Sequence, residues 1–299
     1  MPCKLITRAS PLARHQAEKM RQIIMTGVEI VTTSTLPDNK QDLSLPELGY
    51  ASSFCHELDQ QVLLGHADVA CHSLKDTPLN YDNGLKIIAI SQREDPSDAW
   101  VSEHPLQKKD LRVGTSSLRR KMLLEHYYPH TKPQVIRGNV GTRIAKLGQD
   151  YDGLILASAG LHRLGETTRI KNHLPLDTFI PPAGQGFIAL VAREDHQLHL
   201  KPQDQATWET AMLERHIARS LGISCHEPAG IFVNKTSHFN CFWFIGDLRQ
   251  NKLLYGHYQI SSFKNLDKIN TELSTWRKKH SISDTLAYNR KYIHSLAKL

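Results

Sequence analysis

The sequence predicts an α/β protein of three units, two built from alternating strands and helices and a third, smaller α+β unit. Three observations carry this reading. At 299 residues the chain exceeds one ordinary domain and has ample apolar content for separate cores. Short apolar runs alternate with helical patterns over most of its length, the signature of βαβ construction. After the Pro- and Gly-rich PPAGQG at 181–186 and one further apolar run, a long helical pattern opens a region of different character near residue 205.

The elements follow in order. Residues 4–7 read as a strand, and 11–25 as a helix with Pro11 in its first turn and Leu12, Ala13, Ala17, Met20, Ile23 and Ile24 on one face. Strands are expected at 28–33, 68–71 and 85–90, with a helix at 54–64 between the first two. The second block places strands at 112–114, 134–136 and 153–157 and helices at 116–126 and 140–147, then a short helix. A buried strand is expected at 187–191. The third unit reads as a helix from 205 to 220, strands near Ile231, Phe242 and Leu254, and helices at 265–279 and 283–297. There is no internal repeat and no low-complexity segment.

No run of about 18 apolar residues is present, and MPCKLITRASPLAR lacks the apolar core of a secretory signal. A cytoplasmic protein without membrane partners is therefore expected. Cys3, Cys55, Cys71, Cys225 and Cys241 are odd in number and form no CxxC pair, so free thiols are expected. A formal charge of +7 favours anionic partners.

That charge is concentrated. Residues 114–143 hold six Lys or Arg and one acid, Glu125. Here Gly114-Thr115-Ser116-Ser117 sits where a strand gives way to a helix, and unpaired first-turn amides with Ser and Thr hydroxyls can make an anion site. Arg119 and Arg120 lie one turn inside, Arg137 closes the next strand, and Arg143 is early in the following helix. In open parallel sheets ligands bind beyond the carboxyl ends of the strands, so these groups can converge on one rim. The alternative is a Ser N-cap with a solvated helix face and a turn. Nucleic acid is disfavoured, because only Tyr127 and Tyr128 interleave with the basic residues. A Walker-type phosphate loop is absent. Guanidiniums outnumber ammoniums, which suits bidentate recognition of carboxylates, so a polycarboxylate ligand is expected.

The stretches TRASPLARHQAE, ELDQQVLLGHADVACHSLKDTP, REDPSDAWVS, VGTSSLRR, IRGNVGTR, YDGLILASAGLHRLG, PAGQGFIAL and SCHEPAG resemble the porphobilinogen deaminase (hydroxymethylbilane synthase) family. They occur in the family's order and at nearly its spacing from residue 5 to about 230, whereas the last seventy residues match loosely. The resemblance implies a transferase of tetrapyrrole (haem) biosynthesis that joins four porphobilinogen units head to tail, with loss of ammonia, to give hydroxymethylbilane. It implies three domains: 1–92 with 187–203, 93–186, and 204–299. The first two would be lobes like those of periplasmic binding proteins, with the cleft between them, and a monomer is expected. It also implies a dipyrromethane cofactor held by a thioether to Cys225. Every ring of the growing chain carries an acetate and a propionate. Each close pair of such charges repels by about 1 to 4 kcal/mol, and the arginines would offset this.

By the same resemblance Arg8, Ser10, Ser73, Lys75, Thr115, Ser116, Ser117, Arg119, Arg120, Arg137, Arg143 and Arg163 contact cofactor or substrate acids. Gln185 belongs to a hinge or packing position at the mouth between the first two domains. Asp76 is the catalytic carboxylate. Loss of ammonia leaves an electron-poor azafulvenium, and a fixed carboxylate near the pyrrole N–H groups stabilises that charge and assists proton transfer. Lys75 beside it favours the ionised form. No metal is expected: Pro129 interrupts the pair His126 and His130 among the seventeen histidines. Departures fall in the lid region, where Ala51 and His56 stand at positions the family usually gives to lysine, and at Ile223-Ser224, where it usually has Gly-Gly. The rival reading is a noncatalytic polycarboxylate-binding protein on the same two-lobed fold. A pure binder needs no Asp76 together with Cys225.

Overall fold

The computed structural model describes residues 2–34, 52–81, 84–223, 227–263, 266–287 and 289. The chain opens with β1 (Cys3–Arg8), α1 (Pro11–Arg21) and β2 (Val28–Thr33), then α2 (Ser52–Leu63), β3 (Val69–Ser73) and β4 (Leu85–Ile90). Next come β5 (Asp98–Val101), β6 (Arg112–Gly114), α3 (Leu118–Tyr127), β7 (Lys132–Gln134) and α4 (Val140–Ile144). They are followed by β8 (Gly153–Ala157), α5 (Ser158–Arg163), β9 (Ile170–His173) and β10 (Ile188–Arg193). The last elements are α6 (Gln205–Leu221), β11 (Ala229–Lys235), β12 (Phe239–Asp247), β13 (Lys252–Ile260) and α7 (Leu266–Lys279).

These strands make three sheets. The first has the order β2-β1-β3-β10-β4 and the second β7-β6-β8-β5-β9. In each, four strands run parallel and one runs against them: β10 pairs antiparallel with β3 and β4, and β5 with β8 and β9. The two lobes therefore share a strand pattern, and the chain passes between them twice, through residues 91–97 and 174–187. This is the two-lobed arrangement expected from the sequence. The third sheet is an antiparallel meander, β11-β12-β13.

The apolar runs give each sheet a core, and that of the second sheet also takes in Phe232 and Phe244 of the third. Leu5, Val69 and Leu190 of the first sheet pack with Ala17 and Met20 of α1, the face that the 3.6-residue spacing selects. In the second lobe Trp100 is fully buried, and Gly153 beneath it is required: a Cβ there would lie 1.9 Å from Trp100 Cη2. Ile217 of α6, Trp243 and Leu273 anchor the third core.

Two strands escape the sequence reading. β5 is only four residues long, and β9 (IKNH) offers one apolar residue in four, so neither shows a pattern of its own. The strand expected at 134–136 lies two residues earlier, and the helix expected to 147 stops at Ile144, where a turn leads to Gly148 at φ +78°. α1 is also shorter than expected and ends at Arg21. The other expected strands fall within one or two residues of their places. Of the last expected helix, 282–287 are helical and most of the remainder lies outside the described residues.

The two passages between the lobes touch. Glu94 N–H donates to Gly186 C=O at 3.1 Å, and Gly186 has φ +93° with the carbonyl oxygen of Glu94 only 2.4 Å from where a Cβ would stand. Any L side chain there would force the two passages apart.

Candidate functional site

The strand ends of the two lobes face a cleft of about 1140 Å³. Its walls are loops that the local sequence shapes. β1 ends at Arg8, and Ser10 caps α1 by accepting the Ala13 amide at 3.3 Å, with Pro11 in the first turn. β3 ends at Ser73, whose hydroxyl accepts from Gln16 Nε2 at 2.7 Å. The chain then makes a single 3₁₀ turn, Leu74–Asp76. Thr77 closes that turn, its amide (3.2 Å) and its hydroxyl (2.7 Å) both donating to Leu74 C=O.

After β6, Thr115, Ser116 and Ser117 use their hydroxyls within the chain. Thr115 Oγ1 accepts the Ser117 amide, Ser116 Oγ donates to Ile136 C=O, and Ser117 caps α3 by accepting the Arg120 amide at 3.4 Å. The N-cap expectation thus describes Ser117. Among the sequence-predicted site residues Arg8, Ser10, Ser73, Lys75, Asp76, Ser116, Ser117, Arg119, Arg120, Arg137, Arg143, Arg163 and Gln185 all line the cleft. Thr115 is buried and does not. Cys225 lies outside the described residues, as do residues 35–51 with Ala51. His56 is exposed on α2.

Among the described lining residues there are nine arginines and lysines and three acids, Asp76, Glu166 and Glu227. The positive charge is set in place by acids behind the wall. Asp98, with no exposed surface, receives Arg119 Nη2 at 2.5 Å, Arg120 Nη2 at 2.8 Å and Gln185 Nε2 at 3.0 Å. The remaining terminal nitrogens go to carbonyls, Arg119 Nη1 to Ile180 and Arg120 Nη1 to Ile155. The buried Nε of Arg120 has no hydrogen-bond partner. Burial would raise the Asp98 carboxyl, but the Arg119 and Arg120 guanidiniums overcome it and hold the group well below the usual carboxylate range. Arg163 is fixed likewise, Nε to Glu94 at 2.7 Å and Nη2 to Gly186 C=O at 3.0 Å. Arg143 Nε donates to Gly138 C=O at 2.8 Å. Burial and the nearby Arg120 and Arg137 charges pull Arg143 down to about 10.

Gln185 joins the lobes. It donates to Pro96 C=O at 2.8 Å and to Asp98, and its Oε1 accepts from Lys75 Nζ at 3.2 Å. Burial lowers Lys75 to about 8, partly offset by the charge of Asp76. Lys75 is therefore more easily discharged than an exposed lysine, and a further carboxylate arriving beside it favours its charged form. Beside it, Asp76 C=O accepts from the buried Cys55 Sγ at 3.1 Å.

Asp98, Glu94, Glu214 and Arg215 went unassigned in the sequence reading. The first two were legible as part of REDPSDAWVS, but nothing local tells which arginines they meet. Arg215 and Glu214 lie on α6; Arg215 is more than 130 residues from the turn it holds, and Glu214 is 121 from Arg93. Asp95, His162 and His173 bring three potential metal donors within 4.8 Å of one another. His173 Nδ1 is already shared by Asp95 Oδ2 at 2.9 Å and the hydroxyls of Ser97 and Ser158 at 3.1 Å, a hydrogen-bonded knot at the first passage. The four described cysteines are buried. Burial pushes Cys3 up to about 11 and Cys71 and Cys241 up to about 12, so none of these three offers a ready thiolate.

Residues 3–201 match the family model described as porphobilinogen deaminase, dipyromethane cofactor binding domain. The chain belongs to the porphobilinogen deaminase family. A porphobilinogen deaminase of Acidithiobacillus ferrooxidans is 41% identical over 236 residues, covering 74% of this chain and 77% of its own. One from Prochlorococcus marinus (strain AS9601) is 34% identical and covers 95% of both chains. Among solved structures, a TRAP periplasmic solute binding protein from Pseudomonas putida F1 superposes with a TM-score of 0.36 at 11% identity, covering 72% of this chain and 79% of that one. The deaminase alignment to Prochlorococcus extends the likeness into the C-terminal seventy residues that match the family loosely by motif. The noncatalytic alternative is not favoured by these matches. No helix of the described residues is long and apolar enough to cross a membrane.

Proposed function

We propose that this protein is a hydroxymethylbilane synthase that condenses four porphobilinogen units, acting as a cytoplasmic monomer without nucleic-acid partners. The observation that carries this reading is the wall of the cleft: nine cations against three acids, with Asp76 among them. The residues fit a covalent cofactor rich in carboxylates. The cleft has room for several rings, and the unpartnered Nε of the buried Arg120 is a donor awaiting an acceptor. Three sheets support a division into 1–92 with 187–203, 93–186 and 204–299, the third carrying Cys225.

When bound through Cys225, dipyrromethane supplies the terminal pyrrole to which new units are joined. Arg8, Arg137 and Arg143 receive ring carboxylates, with Ser10 and Ser73 beside them at the strand ends. Arg119, Arg120 and Arg163 are preorganised by Asp98 and Glu94 and change little as negative charge accumulates. The Asp76 carboxylate stabilises the positive charge that develops on the substrate as ammonia leaves, then takes part in moving the pyrrole protons. Lys75 and Gln185 hold the floor of the site. Incubating purified protein with porphobilinogen and following ammonia release and bilane formation together tests the reading. Equal consumption of four substrates per bilane is expected, and binding of porphobilinogen without ammonia release would return the protein to the noncatalytic class.

A further inference from the structure

The turn that carries Asp76 is held from outside its own lobe. Arg215 projects from α6 of the third unit and is 4% exposed. Its Nη1 donates to Thr77 Oγ1 at 2.7 Å, and its Nη2 donates to Pro78 C=O at 2.5 Å and Leu79 C=O at 3.0 Å. The Thr77 hydroxyl has one proton to give and gives it to Leu74 C=O at 2.7 Å, so its lone pairs are what the guanidinium meets. A continuous relay thus runs from Arg215 through Thr77 to the first residue of the turn, with Asp76 inside the loop it closes.

Three further facts make this relay directional. Asp76 C=O also accepts from Cys55 Sγ at 3.1 Å, so the turn is tied at Asp76 itself and, through Thr77, to Arg215. Burial lowers Arg215 to about 10, so it remains a cation at neutral pH and its hydrogen bonds are charge-assisted. The neighbouring Glu214, fully buried, accepts from Arg93 Nη1 at 2.8 Å, Gly184 N–H at 2.7 Å and Val233 N–H at 2.8 Å. Consecutive residues of one helix therefore grip both the Asp76 turn and the turn that presents Gln185.

We infer that Arg215 is a positioning residue for Asp76, setting the height and direction of the 3₁₀ turn through the Thr77 hydroxyl. The inference rests on the reading of Asp76 as the catalytic carboxylate. Arg215 is also one of the nine cations of the cleft wall, but the inference does not require it to touch substrate. A misplacement of about 1 Å at a reacting group costs about a hundredfold in rate, and Asp76 sits on a turn of only three residues.

The test uses holoprotein of Arg215→Met, Thr77→Val, Thr77→Ser and the Met/Val double variant, with kcat and KM for porphobilinogen, intact mass and melting temperature measured on each. Both Arg215→Met and Thr77→Val are expected to keep the covalent adduct and a KM within about threefold of wild type while kcat falls about tenfold to a hundredfold. The double variant should be no slower than the worse single one, because both break one relay. Thr77→Ser, which keeps the hydroxyl, should recover most of kcat. Either single variant turning over within about twofold of wild type, or a double variant showing the product of two independent losses, would overturn the inference. So would loss of adduct and melting temperature in Thr77→Val with kcat unchanged in the loaded fraction. Wild-type protein that makes no bilane would overturn the deaminase reading itself, and the inference with it, and the wild-type control tells that case apart.

Discussion

Asp98→Asn should be the most damaging single-atom change in the protein. The carboxylate has no solvent contact and two guanidiniums within 2.5 and 2.8 Å. Asparagine keeps the shape but presents an NH₂ to one of them, so a donor faces a donor and two buried cations lose their counter-charge. Breaking a buried pair in this way costs about 3–5 kcal/mol. With an unfolding entropy of about 2.1 cal/mol/K per residue, a chain of this length has about 0.6 kcal/mol/K in all, so the melting temperature should fall by about 5–8 °C. The change also has a pH signature. The folded-state pKa of Asp98 lies below its unfolded value near 3.8; its stabilisation is therefore complete above that value and is lost as pH falls through the acid range. Differential scanning calorimetry of wild type and variant at pH 7 and at pH 3.5 measures both effects. The difference between the two proteins should narrow only slightly at pH 3.5, just below the unfolded value, and go on shrinking as pH falls further. A melting temperature within about 2 °C of wild type at pH 7 would refute the view that Asp98 is what allows two arginines to stand together in the wall.

Other residues give separate outcomes. Lys75, lowered to about 8 by burial, takes up a proton when a ligand carboxylate raises its pKa, so KM for porphobilinogen should rise as pH passes 8, and Lys75→Met should flatten that rise; an unchanged profile in the variant would clear Lys75 of ligand contact. Asp76→Asn keeps size and removes charge, and turnover should drop by about a hundredfold or more with folding intact, as judged by circular dichroism and single-turnover ammonia release. Arg143→Leu should slow cofactor assembly or elongation by about tenfold to a hundredfold, the worth of one charge-assisted hydrogen bond at about 1.5–3 kcal/mol. It is a cleaner probe than Arg120→Leu, since Arg143 shares no buried carboxylate with a neighbour.

What the sequence made legible depended on range. Strands β2, β4, β6 and β8 were read at their observed bounds: β4 and β8 are mainly apolar, β2 opens on apolar Val28, Ile30 and Val31, and β6 is placed by the Gly-Thr-Ser-Ser helix signal that follows it. The antiparallel insertion of β10 between β3 and β4 was not readable, since its local pattern is that of any buried strand and its partners lie about 100 residues away. The cations of the site were legible by type and by their place after strand ends. Their counter-ions were not: Glu94 stands 69 residues from Arg163, and Asp98 is one of several acids near the first passage. At the expected anion nest the Thr115, Ser116 and Ser117 hydroxyls make bonds within the chain, while Ser116 and Ser117 also line the cleft. A hydroxyl at a strand-to-helix junction satisfies the backbone before it serves a ligand. Arg215 carried no signal at all within a helix whose spacing already explained it as one more side chain on α6.

The central claim is that a covalent polycarboxylate occupies the arginine-lined cleft, attached at Cys225. Intact mass followed by peptide mapping, on protein made in cells with an active porphobilinogen supply, tests it most directly. The account predicts one dipyrromethane addition, found on the peptide containing Cys225 and absent from Cys225→Ser. An unmodified Cys225 in such material, or an adduct on Cys3, Cys55, Cys71 or Cys241, would contradict it.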